Sequence, residues 1–225
     1  MLIYGKQPVF YALERHRDRV KTLYLAKEVD KKEYSLLMKM GFEVKRIPEN
    51  AAQSMVKGGN HQGYILEMSA LVPYASPFLK KCDFIVVLNS ITDMGNIGSL
   101  VRSAYALGAD ALVICGIKEP NFEQIIRTSS GAALDLPLVV IHNIHDVMHE
   151  LKQSGFTLYG AMMEGTDVRE MNFSSKRVLI LGSEGEGLSG RVQKGIDQGV
   201  SIRMTHDFDS LNVGVAGAIL MERMR

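Results

Sequence analysis

The chain reads as an α/β protein with a small N-terminal α/β/α unit and a larger domain on a mainly parallel sheet. Strand-like and helix-like segments alternate through most of its 225 residues. Several strands, such as Phe84-Ile85-Val86-Val87-Leu88, are near-continuous apolar runs, as a parallel sheet covered on both faces requires. Pro73 and Pro77 interrupt the alternation and divide the chain near residue 75. The expected boundaries are 1–72, a linker over 73–82, and 83–225.

Each element follows from local pattern. Before the prolines, apolar spacing predicts helices over Pro8–Arg17 and Lys31–Met40, strands over Lys21–Ala26, Phe42–Ile47 and Gly63–Met68, and a short helix from Pro48. After them, strands are expected at Phe84–Leu88, Ala111–Cys115, Leu138–Ile141, Thr157–Ala161, Val178–Leu181 and Val200–Ile202. Helices fill most of the gaps, at Asn96–Leu107, Phe122–Thr128, Ile144–Gln153, Leu188–Ile196 and Ser210–Met224.

Composition narrows the class. No apolar run is long enough to span a bilayer, and Met1-Leu2-Ile3-Tyr4-Gly5-Lys6 lacks the charged start and apolar block of a signal peptide, so the expected location is cytoplasmic. Cys82 and Cys115 each sit in or beside an apolar run and read as reduced, buried thiols. The net charge of +1 conceals a split: residues 1–70 carry 12 Lys and Arg against 8 Asp and Glu, and the remainder is acidic. Such a first segment suits a polyanionic partner, although a solvated basic face has the same composition.

Three polar loops follow strands in the second half. They are Asn89 to Gly98, running into a helix that carries Arg102; Gly182-Ser183-Glu184-Gly185-Glu186-Gly187-Leu188-Ser189; and Ile202 to Asn212. Glycines let backbone groups approach a ligand closely, and in open α/β sheets ligands sit beyond the carboxyl ends of strands. An ordinary strand-to-helix turn is the plain alternative for the glycine-rich loop. A dinucleotide fingerprint belongs after the first strand of a βαβ unit, whereas these glycines follow the fifth strand of the series. There is no Gly-x-Ser-x-Gly elbow, Walker lysine or His-Glu-x-x-His. His142, His145 and His149 have no Cys or fourth ligand nearby, so a solvated helix face is expected there and no metal.

Taken together, Asn96-Ile97-Gly98-Ser99-Leu100-Val101-Arg102, Leu181-Gly182-Ser183-Glu184-Gly185-Glu186-Gly187-Leu188 and Ser210-Leu211-Asn212-Val213 resemble, in order and spacing, the three motifs of the SpoU (TrmH) family. That family comprises S-adenosylmethionine-dependent RNA ribose 2'-O-methyltransferases of the SPOUT superfamily. Ile3-Tyr4-Gly5-Lys6-Gln7-Pro8-Val9 and Asn60-His61-Gln62-Gly63 resemble the ribosomal-protein-like substrate-binding domain of the subgroup acting on guanosine in 23S rRNA.

The resemblance implies a deep trefoil knot in the α/β catalytic domain, a homodimer, S-adenosyl-L-methionine (SAM) as cofactor and RNA, 23S rRNA first and tRNA second, as substrate. It points to Gly182, Ile202 and Leu211 for cofactor contacts, with Ser183, Gly187, Met204 and Ser130-Gly131-Ala132 nearby. Arg102 matches the motif arginine. A guanidinium, with a pKa above about 12, is a poor base, so gripping an RNA phosphate and the 2'-oxygen suits it better. Glu184 is expected to pair with Arg102 or take the proton, while Asn96, Ser210 and Asn212 orient the reacting groups. The plain readings are a surface ion pair for Arg102, a solvated acid for Glu184, a helix N-cap for Ser210 and a first-turn residue for Asn212. Lys6, Arg15, Lys57 and Arg127 are the basic candidates for RNA contact.

Two departures stand out. Asp93-Met94 occurs where the family often has proline after the aspartate, and Ile202-Arg203-Met204 where it often has Ile-Pro-Met. A non-catalytic RNA-binding module of the same fold is the alternative that these departures raise.

Overall fold

The computed structural model of the chain describes residues 1–183, 185–206 and 210–225. They form two compact units, one of residues 1–72 with 121–134 and one of 73–120 with 135–225.

In the first unit, strands β1 (Leu2–Tyr4), β2 (Val20–Leu25), β3 (Glu43–Arg46) and β4 (Tyr64–Met68) form a sheet in the order β1-β4-β2-β3. β4 is antiparallel to both neighbours, and β2 and β3 are parallel. Helix α1 (Lys6–Arg15) buries Pro8, Val9, Ala12 and Leu13, a stripe of paired positions one turn apart. Helix α2 (Lys31–Met38) starts where Asp30 Oδ1 accepts the amides of Lys32 and Glu33 at 2.8 Å each. Helix α3 (Glu49–Met55) follows Pro48. β1 was not expected: three residues are too few to display a period, and its partner Tyr64–Met68 defines it.

The two sequence segments of the N-terminal resemblance meet in this unit. Gln62, at φ +53°, accepts the Lys6 amide on Oε1 at 2.8 Å, and the Gly5 amide donates to the Tyr64 carbonyl. Buried His61 accepts the Gly63 amide on Nδ1 at 3.0 Å, which leaves Nε2 to face Glu49 Oε1 at 3.0 Å.

The second unit contains β5 (Phe84–Asn89), α4 (Met94–Ala106), β6 (Ala111–Cys115), β7 (Leu138–Ile141), α6 (Ile144–Gln153), β8 (Thr157–Asp167), β9 (Arg177–Leu181), α7 (Gly190–Gln193), β10 (Gln198–Ser201) and α8 (Val213–Met224). The helix between β6 and β7, α5 (Phe122–Thr128), belongs to the first unit. The sheet runs β10-β8-β9-β5-β6-β7 and every pair is parallel. Its core includes Ile85, Val87, Val113, Leu158, Val178 and Ile180, all from the apolar runs that predict it.

Most boundaries fall within two residues of expectation, and three differ more. α7 has four residues rather than nine, because Leu188 is buried near Gly160 and the helix starts only after Ser189, whose side chain accepts the Val192 amide as its cap. α8 begins at Val213, with Asn212 and not Ser210 as its cap. β8 continues to Asp167, since its pairing with β10 jumps from Gly199↔Gly160 to Val200↔Thr166 and resumes the ladder beyond the point where the apolar run stops. Among the described residues no helix is long and apolar enough to cross a membrane.

Candidate active site at the carboxyl ends of β5 and β9

Sheet order locates the site. From β5 the chain leaves through α4 to β6 on one side, and from its neighbour β9 it leaves through α7 to β10 on the other. Adjacent strands whose connections diverge open a crevice beyond their carboxyl ends. Leu88 pairs with Leu181, so the loops starting at Asn89 and Gly182 emerge level with each other.

The glycine-rich loop is closed on itself. Ser183 and Gly187 form an antiparallel bridge, with the Gly187 amide donating to the Ser183 carbonyl at 2.9 Å. A Cβ on Gly182 would lie 2.2 Å from the Gly187 carbonyl carbon and 2.6 Å from the Leu188 nitrogen, so only glycine fits beneath the returning backbone. Gly185 and Gly187 adopt φ of +88° and +64°. Glu184 lies outside the described residues.

The opposite wall is the start of α4. Asp93 caps that helix, its Oδ1 accepting the Asn96 amide at 2.7 Å. Asn212 Nδ2 donates to Asn96 Oδ1 at 3.1 Å, while Asn212 Oδ1 accepts the Gly214 amide at 2.9 Å and caps α8. One asparagine therefore ties motifs 116 residues apart in sequence. The helices approach closely behind it: a Cβ on Gly214 would meet Ser99 Oγ at 3.1 Å, and one on Gly217 would meet Leu100 Cδ2 at 2.3 Å and Leu181 Cδ1 at 2.9 Å. Arg102 stands on the exposed side of α4, one turn beyond Ser99.

The third wall follows β10. Ile202 and Met204 are half-buried, as is Leu211 just before the α8 cap. Ser210 is exposed, and the stretch between, 207–209, is outside the described residues. β10 is two strands from β9, so Ile202 and Gly182 start about 10 Å apart across the sheet edge. Cys115 ends β6 at this same edge, where burial pushes its thiol up to about 12, and Cys82 is pushed up to about 11. Neither supplies a thiolate nucleophile at neutral pH.

The remaining sequence candidates lie in the first unit. Ser130, at φ +56°, Gly131 and Ala132 follow α5, and a Cβ on Gly131 would fall 2.6 Å from the Tyr11 ring. That packing accounts for Gly131 without a ligand. Arg127 stacks over Tyr4 at 5.0 Å and Arg15 over Tyr11 at 5.0 Å. Lys6 and Lys57 (φ +52°) are exposed, and the Tyr4 hydroxyl would lie 2.3 Å from a Cβ on Gly59. Among the described residues no group of three His, Cys, Asp or Glu side chains is arranged to hold a metal.

Sequence reasoning missed two features at the sheet edge. Asp93 carried the ordinary signature of an N-cap, an aspartate just before a helix. Asp167 carried none. It ends β8 opposite Ser201, with its carboxylate chelated by Arg169. Those hydrogen bonds, then the charge of Arg169 and last that of Arg203, hold the carboxyl down at about 2.

Known proteins resemble this chain over nearly its whole length. Residues 83–222 match the model of the SpoU rRNA Methylase family, and residues 2–73 match that of the RNA 2'-O ribose methyltransferase substrate-binding domain. A 23S rRNA (guanosine-2'-O-)-methyltransferase RlmB of Pseudomonas putida is 29% identical, covering 99% of this chain and 95% of the relative. One from Xylella fastidiosa is 31% identical, covering 82% and 78%. The structure of the SpoU methyltransferase AviRb from Streptomyces viridochromogenes in complex with AdoMet superimposes with a TM-score of 0.76 at 27% identity, covering 99% of this chain and 88% of the other.

Proposed function

This chain belongs to the SpoU rRNA methylase family, and from that premise we propose that it methylates the ribose 2'-hydroxyl of a guanosine in 23S rRNA, with SAM as donor. The observation that carries the proposal is the Asn212 to Asn96 hydrogen bond, which closes the α4 and α8 motifs into one wall opposite the Gly182–Gly187 loop.

The residues present suit SAM. The loop that Gly182, Ser183 and Gly187 build at the strand end suits adenosine and methionine contacts made to backbone, and Ile202, Met204 and Leu211 offer half-buried apolar surface. When bound, SAM supplies a methyl group activated on a sulfonium.

The side chains then hold and deprotonate the acceptor. Arg102 grips the RNA phosphate and the 2'-oxygen, because a guanidinium remains charged and donates in a planar fork. Glu184 steadies that guanidinium or accepts the proton. Asn96, Asn212 and Ser210 fix the ribose in line, where close placement of reacting atoms accounts for much of the rate. Lys6, Arg15, Lys57 and Arg127 bind RNA from the first unit. Target nucleotides in loops, unstacked and accessible, suit such a reader.

The same reading includes a homodimer, the family's knot in a catalytic domain spanning 83–225, a linker over 73–82, a substrate-binding domain over 1–72, and a cytoplasmic location. The test is transfer of labelled methyl from SAM to unmodified 23S rRNA and to tRNA, with Arg102→Ala as control. Label in 23S rRNA that disappears in the variant is expected. Label in tRNA alone would move the substrate, and calorimetry showing no SAM binding at millimolar concentration would remove the activity.

A further inference from the structure

The carboxyl ends of β8 and β10 carry a charged corner outside the proposed methyl-transfer residues. Arg169 Nε donates to both oxygens of Asp167 at 3.1 Å, its Nη2 donates to Oδ2 at 2.6 Å, and its backbone amide adds a bond to Oδ1 at 3.1 Å. The Asp167 side chain is 9% exposed and that of Arg169 56%. Asp167 pairs with Ser201 across the ladder, and Ser201 Oγ donates to the Gly165 carbonyl at 2.8 Å, so both strand ends are fixed. Two residues later Arg203 is exposed, between half-buried Ile202 and Met204.

One carboxylate faces two guanidiniums here, and Arg169 already occupies both of its oxygens. Arg203 makes no hydrogen bond or ion pair with another described residue. Its charge still reaches Asp167, contributing to the depressed carboxyl. Glu170 is the other acid acting on Arg169, and it is exposed. The four named charges balance, but Asp167 is taken up by Arg169, so the exposed Arg203 guanidinium at the rim of a crevice suits an anion presented from solvent. A phosphodiester suits it best, since guanidiniums match phosphate oxygens in shape and charge.

We propose that Arg203, beside an Arg169 held in place by Asp167, grips a backbone phosphate of the substrate RNA at the mouth of the active site. The inference rests on the RNA methyltransferase reading, with Asp167 as a positioning residue.

The test compares wild type, Arg203→Ala and Arg203→Lys for binding to an unmodified 23S rRNA transcript at several salt concentrations, with SAM affinity measured separately by calorimetry. Loss of one phosphate contact flattens the log–log salt slope by about 0.7 to 0.9. Arg203→Ala is expected to show that change and weaker RNA binding, with SAM affinity within twofold of wild type and the lysine variant restoring the slope. An unchanged slope, or a shift in SAM affinity with RNA binding intact, would overturn the proposal. Failure of wild type to bind the transcript would instead strike the substrate assignment itself.

Discussion

At the scale of single residues, Gly182 and Asp167 show how a position acquires its constraint. Gly182 lies under the backbone of Gly187 and Leu188, and neither can yield as a flexible side chain would. Gly182→Ala must therefore open the loop, and calorimetry should show SAM affinity at least tenfold weaker while the melting temperature falls modestly. Unchanged affinity would remove this loop from the cofactor site. Asp167 makes a pH prediction. Its carboxyl is held below the ordinary value of 3.8, at about 2, so its stabilising effect is complete above the ordinary value and is lost as pH falls through about 2. Asp167→Asn should melt below wild type at neutral pH, and the gap should close between about pH 4 and pH 2. A gap independent of pH would mean that charge is not involved.

At the scale of elements, α8 packs closely against α4 and β9. Gly217 is closed in by Leu100 and Leu181, which lets helix backbone and strand end approach within side-chain contact. Gly217→Val should destabilise the protein by about 1 to 3 kcal/mol through overpacking. Leu100→Ala alone should cost about 2 to 5 kcal/mol, and the double variant less than the sum, because the cavity receives the added methyls. Chemical denaturation measures all three, and strict additivity would show that the two sites do not share space. Element type was readable where apolar runs were long, as in Phe84–Asn89 and Ala111–Cys115. It was unreadable in β1, whose three residues become a strand only by pairing with β4. The start of α8 was misplaced because Ser210 and Asn212 are both good caps, and the bond to Asn96 on another helix favours the second.

At the scale of the whole molecule, sequence periodicity identifies strands but is blind to their lateral order. Nothing in Arg177–Leu181 says that it enters between β8 and β5, yet this insertion sets the divergent connections beside which the site lies. The three motifs were legible as a set through their order in the chain. Their meeting depends on parallel register, Leu88 with Leu181, and on the long-range bond from Asn212 to Asn96. The grouping of residues 121–134 with the first unit was not legible either, because Phe122–Thr128 has the pattern of any helix between two strands. Its contacts with Tyr4 and Tyr11 arise from residues more than 100 positions away. The central claim is ribose methylation of 23S rRNA, and mapping the product nucleoside tests it most directly. Incubation of an unmodified 23S rRNA transcript with labelled SAM, followed by digestion and mass spectrometry, should yield 2'-O-methylguanosine at one position, absent with Arg102→Ala. Methyl groups on a base, or none with an enzyme that binds both SAM and the transcript, would contradict it.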